Sequence, residues 1–187
     1  MSAKNPSSFA IENQSTLYIM CGIPGSGKST WAKDFKEKIE TAGYHCIIVS
    51  RDEIRFKLLE ERGGRYFDYE EEVFEIYCQK IQTYLDRGYH VIADATQINL
   101  RSRSKLLDNL DINEKTLIYC VDVNTPYSIC KIFNSKREGV ERVPDSVVKR
   151  MSLQKVAPTK YEYDGFSYDG IITVGFSEDK KENKVYE

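Results

Sequence analysis

The sequence predicts an α/β fold, with a parallel sheet covered by helices on both faces. Three observations carry this. Short, continuous apolar runs such as Leu17-Tyr18-Ile19-Met20-Cys21 lack alternation, as strands buried on both faces do. These runs alternate with helical segments along the chain, the order that builds a parallel sheet. Between the first run and the first helix lies Gly22-Ile23-Pro24-Gly25-Ser26-Gly27-Lys28-Ser29, a Gly-x4-Gly-Lys-Ser pattern that belongs between a strand and a helix.

The elements follow in order. After the first strand and its glycine loop, residues 28–41 read as a helix, with Trp31, Phe35 and Ile39 at four-residue spacing and Gly43 as its stop. Cys46 to Val49 is the second strand. Helix is expected over 51–61, a break over 62–65, and a longer helix over 69–86. That longer helix places Val73, Tyr77, Ile81, Tyr84 and Leu85 on one face, with Gly88 as its cap. The third strand spans 89–93 and ends at Asp94. A helix over 99–110 precedes a fourth strand over 116–121. Thr125-Pro126 opens a helix to about Arg137, in the order of an N-cap followed by proline at the first turn. A loop over 138–143, a helix over 144–155 and a fifth strand over 170–174 complete the domain. Residues 1–15 read as a flexible leader, 16–176 as the domain, and 177–187 as a charged, frayed tail.

Length and composition agree with this. A chain of 187 residues suffices for one domain with a substantial core, and 41% hydrophobic against 30% charged residues is a globular balance. A net charge of -2 gives no global pull toward nucleic acid or anionic membrane, so any polyanion site must be local. Five scattered cysteines and two histidines form no zinc pattern. They are expected to be buried free thiols, in keeping with a reducing cytoplasm. No apolar stretch is long enough to span a bilayer.

The strand C-termini share one edge of such a sheet, and ligands bind there. That edge carries Gly22, Ser50 to Asp52, Asp94 and Asp122. In the glycine loop, tight turns direct backbone N–H groups inward, and the following helix adds its positive end. This is the phosphate-binding loop of a P-loop NTPase fold. Gly22, Pro24, Gly25, Ser26, Gly27, Lys28, Ser29 and Thr30 are its candidate nucleotide-binding residues. Lys28 should reach the β- and γ-phosphates, and the Ser29 hydroxyl should ligate Mg2+.

Behind the second strand comes Ser50-Arg51-Asp52-Glu53-Ile54-Arg55. A hydroxyl acceptor needs a carboxylate to orient it and take its proton, and Asp52 is placed for that. It also suits a helix N-terminus, with Ser50 and Glu53 as a capping box. Arg55, one turn on, shares the face of Asp52 and could hold an acceptor phosphate. Asp94 could hold Mg2+ through water or cap the next turn. The segment from Lys131 to Arg150 has six basic residues against three acidic ones. It reads either as a lid that closes over a triphosphate or as a solvated loop between helices.

Taken together, Gly22 to Ala32, Ser50 to Arg55, Val91 to Thr96, and Asn134 to Arg137 with Val143-Pro144 and Met151 resemble the polynucleotide 5′-hydroxyl kinases of phages and bacterial RNA-repair enzymes. The likeness runs from about Leu17 to Gln154. It implies an adenylate-kinase-like five-stranded parallel sheet with a helical lid, and a tunnel-like site with ATP on one side and a 5′-OH on the other. It implies Lys28, Asp52 and Arg137 as catalytic residues, with Arg137 and Arg142 on the nucleotide, Arg55 and Thr96 on the acceptor, and Ser29 and Asp94 on the metal. The implied activity is ATP-dependent transfer of the γ-phosphate to the 5′-OH of RNA or DNA. Against a polynucleotide stands the run 60–75, whose seven carboxylates face only Arg62 and Arg65, a net of -5. A small metabolite, antibiotic or nucleotide sugar is therefore an alternative acceptor, and a nucleotide-dependent regulatory switch is a second alternative. Homo-oligomerisation is left open.

Overall fold

The computed structural model describes residues 14–163, 166–176 and 185–186. Most of the expected leader and tail lie outside them. Within them, β1 (Thr16–Cys21), α1 (Lys28–Thr41), β2 (Cys46–Ser50), α2 (Arg51–Arg62), α3 (Glu70–Asp86), β3 (His90–Asp94), α4 (Leu100–Leu107) and β4 (Leu117–Asn124) follow one another. After them come α5 (Tyr127–Ser135), a 3-10 turn (Gly139–Glu141), α6 (Asp145–Gln154), β5 (Tyr161–Tyr163), β6 (Phe166–Ser167), β7 (Gly170–Gly175) and β8 (Val185–Tyr186).

Five strands pair in parallel in the order β2-β3-β1-β4-β7, the adenylate-kinase-like arrangement expected. Every residue of β1 is buried, because it pairs on both sides and is covered on both faces. Its alternation sorts the core into two halves. Leu17, Ile19 and Cys21 join Val73, Tyr77, Ile81 and Leu85 of α3 and Leu106 and Leu107 of α4. Tyr18 and Met20 face the other way, onto Trp31, Ala32 and Ile39 of α1. Each fully buried large side chain contributes roughly 1.5–3 kcal/mol, so Val73, Tyr77, Ile81 and Leu85 together tie α3 firmly to the sheet. A third cluster, Ile23, Ile98, Cys130 and Val148, joins the glycine loop to α5 and α6.

The register sets the functional edge. Ser50 of β2 lies opposite Asp94 of β3, and Cys21 of β1 opposite Asp122 of β4. Asp122 is spent on structure, in an ion pair of 2.7 Å with Lys155 Nζ. The cysteines are buried free thiols, and burial pushes those of Cys21, Cys46 and Cys78 up to about 11.

Two helix ends depart from expectation for a physical reason, and two strand pairings were not expected. The helix expected to reach Leu110 ends at Leu107, because the next residues tighten into i→i+3 turns, Asn109 N–H to Leu106 O and Leu110 N–H to Leu107 O. The helix expected to reach Arg137 ends at Ser135 in the same way, through Lys136 N–H to Phe133 O and Arg137 N–H to Asn134 O. The hairpin β5–β6 was not expected, nor was the antiparallel pairing of β8 with β7 inside the region read as frayed tail. No helix among the described residues is long and apolar enough to cross a membrane.

Candidate active site

The glycine loop leaves β1 and returns to start α1, so the first N–H groups of that helix face the bend. Gly25 has φ +80°, and a Cβ there would lie 2.3 Å from the carbonyl oxygen of Cys130 in α5. Only glycine fits both constraints. Gly27, at φ +95°, is the N-cap of α1 and carries no side chain to compete for the helix N–H groups. Two bonds brace the loop from outside: Thr125 Oγ1 donates to Ser26 O at 2.7 Å, and Gly22 N–H donates to Thr96 O at 3.0 Å. Pro24 is buried within the loop, and Thr30 lies at the exposed start of α1. The buried Ser26 Oγ, within the glycine loop, has no hydrogen-bond partner among the described residues.

Lys28 is buried, and its Nζ donates to Ile23 O at 3.1 Å. Burial lowers its pKa below the ordinary value, against the opposing pull of the Asp94 and Asp52 carboxylates. The ammonium is thus held desolvated across the mouth of the loop, short of the charge it would meet in a polyphosphate. Ser29 Oγ donates to Asp94 Oδ2 at 2.8 Å. Its lone pairs remain free, so serine and carboxylate offer two hard oxygens side by side, a donor set that suits Mg2+. No cluster of three or more metal-ligating side chains occurs among the described residues.

Asp52 lies in the first turn of α2 but does not cap it. Ser50 does, accepting Glu53 N–H at 3.3 Å. The Asp52 side chain is 61% exposed, and its Oδ1 receives both Arg55 Nη1 and Tyr66 OH, the latter at 3.3 Å. Its Oδ2 makes no hydrogen bond or ion pair among the described residues. One oxygen is therefore anchored and the other open. The anchor itself is rigid. The Arg55 side chain is 6% exposed, its Nε donates to Glu70 Oε1 at 2.6 Å, and its guanidinium sits 4.5 Å over the Tyr66 ring. Glu70 also accepts Arg51 Nη2 at 2.8 Å. Tyr66, pushed up to about 12 chiefly by burial and then by the Asp52 charge, remains a protonated donor.

Two cavities flank the loop. One, of about 350 Å³, is lined by Gly25, Ser26, Gly27, Thr30, Phe133 and Phe176, among others. The second, of about 320 Å³, contains Ser29, Asp94, Asp52, Phe56 and Tyr66. Arg137 lines both, and its guanidinium makes no hydrogen bond or ion pair among the described residues. The loop that carries it is clipped shut by the buried Asn134, whose side chain donates to Val143 O at 2.6 Å and accepts Val143 N–H at 3.1 Å. A larger cavity, of about 470 Å³ between β2, α2 and α3, holds none of Lys28, Ser29, Asp52, Asp94 or Arg137.

The structure thus brings together Lys28, Ser29, Asp52, Asp94 and Arg137. It does not place Arg55, Thr96 or Arg142 on either cavity. Arg55 is held by Asp52, Glu70 and Tyr66. Thr96 serves the loop through its carbonyl, and Arg142 is an exposed residue following the 3-10 turn. Sequence reasoning missed Tyr66, Glu70 and Phe56. Of these only Phe56 carried a signal, four residues beyond Asp52 on one helix face. The acidic run is also largely compensated. Glu70 holds Arg51 and Arg55, Glu72 holds Arg62 at 2.8 Å, Asp68 holds Arg65 at 3.2 Å, and Glu61 lies 3.8 Å from Lys57.

Comparison with known proteins fits this geometry. The profile of an AAA domain family matches residues 17–157. Over 154 residues the chain is 28% identical to the L-seryl-tRNA(Sec) kinase of Methanococcus maripaludis, covering 79% of this chain and 56% of that protein. The chain spans about half the length of the curated relatives it matches. Its fold is shared with a sugar kinase from Janibacter sp. HTCC2649, at a TM-score of 0.57 and 18% identity, covering 87% of this chain and 85% of that one. A chain of the Pnkp1/Rnl/Hen1 complex aligns at a TM-score of 0.52 and 25% identity, over 67% of this chain and 40% of that one. The phosphate-binding loop, the sheet order and the family match agree, and the chain belongs to the AAA domain family, with a P-loop NTPase fold.

Proposed function

We propose that this protein transfers the γ-phosphate of ATP to a hydroxyl group, and that the hydroxyl is the 5′-OH of an RNA or DNA strand. The observation that carries the transfer is Arg137, which lines the cavity on the glycine-loop side and the cavity that holds Asp52. A phosphoryl group passing between two substrates would cross beneath it.

In this reading the first cavity takes ATP, with its base against Phe133 and Phe176, whose rings meet edge to face at 6.0 Å, and its phosphates on the loop N–H groups and Lys28. Ser29 and Asp94 would hold Mg2+, which would supply neutralising charge for the phosphates. Asp52 Oδ2 accepts the hydrogen bond of the attacking hydroxyl and then its proton. Arg55 and Tyr66 keep Oδ1 fixed, so that the free oxygen points where the nucleophile arrives. Arg137 meets the charge that develops on the moving phosphoryl group.

The polynucleotide acceptor is supported by the resemblance of the four motifs, by a relative named for a tRNA substrate, and by the pairing of the acidic run. A second reading, a small alcohol or sugar, is favoured by the acceptor cavity itself. It measures about 320 Å³ and is lined by four carboxylates, Asp52, Glu53, Asp94 and Glu141, against Lys33 and Arg137. Incubation with γ-labelled ATP, Mg2+ and separate acceptors decides between them. Label on the 5′ end of a 5′-OH oligonucleotide is the expected result. Label only on sugars or small alcohols selects the second reading, and ATP hydrolysis with no labelled acceptor contradicts transfer altogether.

A further inference from the structure

The acceptor cavity opens beside an aromatic cluster of which phosphoryl transfer uses only the Tyr66 hydroxyl. Phe56 and Tyr66 line the cavity together with Asp52. Their rings meet edge to face at 6.3 Å, and Tyr66 meets Phe67 edge to face at 4.7 Å. The Phe67 side chain is 65% exposed. An exposed phenylalanine loses hydrophobic free energy for as long as nothing covers it. This one packs on Tyr66, which itself lines the cavity, in a segment already fixed by the Asp68 contacts to Arg65, Nε at 3.2 Å and backbone N–H at 2.8 Å. The cluster is also mechanically joined to the base. Tyr66 OH donates to Asp52 Oδ1 at 3.3 Å and accepts Arg55 Nη1 at 3.0 Å.

We infer that Phe56 and Phe67, braced by Tyr66, form a stacking platform for the nucleobase of the acceptor's terminal nucleoside. The inference rests on the polynucleotide reading and specifies which part of that substrate the protein grips. A base has a flat π-face whatever its sequence, so aromatic side chains bind it without needing the basic channel that this surface lacks. Planar stacking also explains how a terminal hydroxyl can be presented to Asp52 while Arg55 stays engaged with Glu70. A sugar or aliphatic alcohol offers no such face and would leave Phe67 uncovered.

The test uses two 5′-OH oligonucleotides that differ only in the first nucleotide, one carrying the fluorescent base 2-aminopurine and the other abasic. Both are measured for binding and for phosphate transfer. With the wild-type protein, 2-aminopurine emission should fall on binding. Phe67→Ala should abolish that quench and raise KM for the base-bearing acceptor about 5- to 150-fold, leaving kcat and the abasic acceptor unchanged. Phe67→Trp should restore binding. If Phe67→Ala and Phe56→Leu leave KM unchanged while wild-type transfer proceeds, the platform is overturned and the kinase reading stands. Equal losses for the base-bearing and abasic acceptors also overturn it. If no oligonucleotide is phosphorylated but the quench occurs and is lost in Phe67→Ala, the platform stands and the polynucleotide kinase reading falls. Absence of both quench and transfer overturns both.

Discussion

Glu162→Ala should be among the most destabilising single changes in this protein, and its cost follows from the geometry around Arg103. The Arg103 and Glu162 side chains are 1% and 4% exposed. Arg103 Nε donates to Glu162 Oε2 at 2.9 Å and Nη2 to Oε1 at 2.5 Å, a bidentate pair, and Tyr168 OH adds a third bond to Glu162 at 2.9 Å. Burial works against the guanidinium charge, and the carboxylate outweighs it and raises the pKa of Arg103. Without Glu162 the buried charge keeps the carbonyls of Gln97 and Val156 and a weak bond to Cys21 Sγ at 3.6 Å. Removing one partner of such a pair costs about 3–5 kcal/mol. For a domain of this size that is a drop of about 6–20 °C in Tm. Urea and thermal unfolding followed by far-UV circular dichroism measure it. Glu162→Gln, which keeps the shape and one acceptor, should cost less. Arg103→Met combined with Glu162→Leu should recover part of the loss but not all, because the Gln97 carbonyl would lose its buried donor. A Glu162→Ala protein within about 1 kcal/mol of wild type would refute the reasoning, since no fully desolvated arginine tolerates the loss of its counter-ion so cheaply.

Other outcomes follow from the site. Arg137→Ala should lower turnover about 10²- to 10³-fold, with ATP affinity changed much less; steady-state kinetics with a parallel binding titration separate the two. Gly25→Ala places a left-handed alanine, at about 1–2 kcal/mol, against the Cys130 carbonyl 2.3 Å away. It should weaken nucleotide binding at least tenfold in a fluorescent-nucleotide titration while circular dichroism shows a folded protein. The buried Lys28 titrates below its ordinary 10.5, so between its folded pKa and 10.5 the unfolded chain holds more protons, and the nucleotide-free protein gains stability as pH rises through that window. Bound phosphates reverse the shift. ATP binding there should take up protons, which calorimetry in buffers of different ionisation enthalpy detects, and Lys28→Met should abolish the uptake.

Much of the site could be read from sequence because its residues stand at strand ends. Gly22 follows β1, Asp52 follows β2 and Asp94 ends β3, and a parallel sheet carries all three to one edge whatever the details of packing. Arg137 was singled out only by the resemblance of the segment from Asn134 to Arg137 to a known lid, since the charge pattern of 131–150 alone fits a solvated loop as well. What escaped were contacts made across a chain break. Tyr66 and Glu70 reach Asp52 and Arg55 only because the chain turns at Gly63-Gly64 and brings α3 back beside α2. The spacing of Arg55 from Asp52 showed that they share a helix face, but not that Glu70 would claim the guanidinium. The β5–β6 hairpin had a local signal in Asp164-Gly165 between Tyr163 and Phe166, a strong turn dipeptide, though the paired stretches are too short for periodicity to reveal. Glu162 read as an ordinary charged residue, since nothing in its neighbourhood announces that Arg103, 59 positions earlier, is buried against it.

The central claim is that Asp52 Oδ2 takes the acceptor's proton while Lys28, Ser29 and Arg137 manage the phosphates. Single-turnover transfer from γ-labelled ATP to a 5′-OH oligonucleotide, comparing wild type with Asp52→Asn at matched nucleotide occupancy, tests it most directly. Asparagine keeps the shape and can still engage Tyr66, so ATP binding should be unchanged and the transfer rate should fall about 10²- to 10⁴-fold. Transfer at the wild-type rate by Asp52→Asn, with ATP bound equally well, would contradict the account.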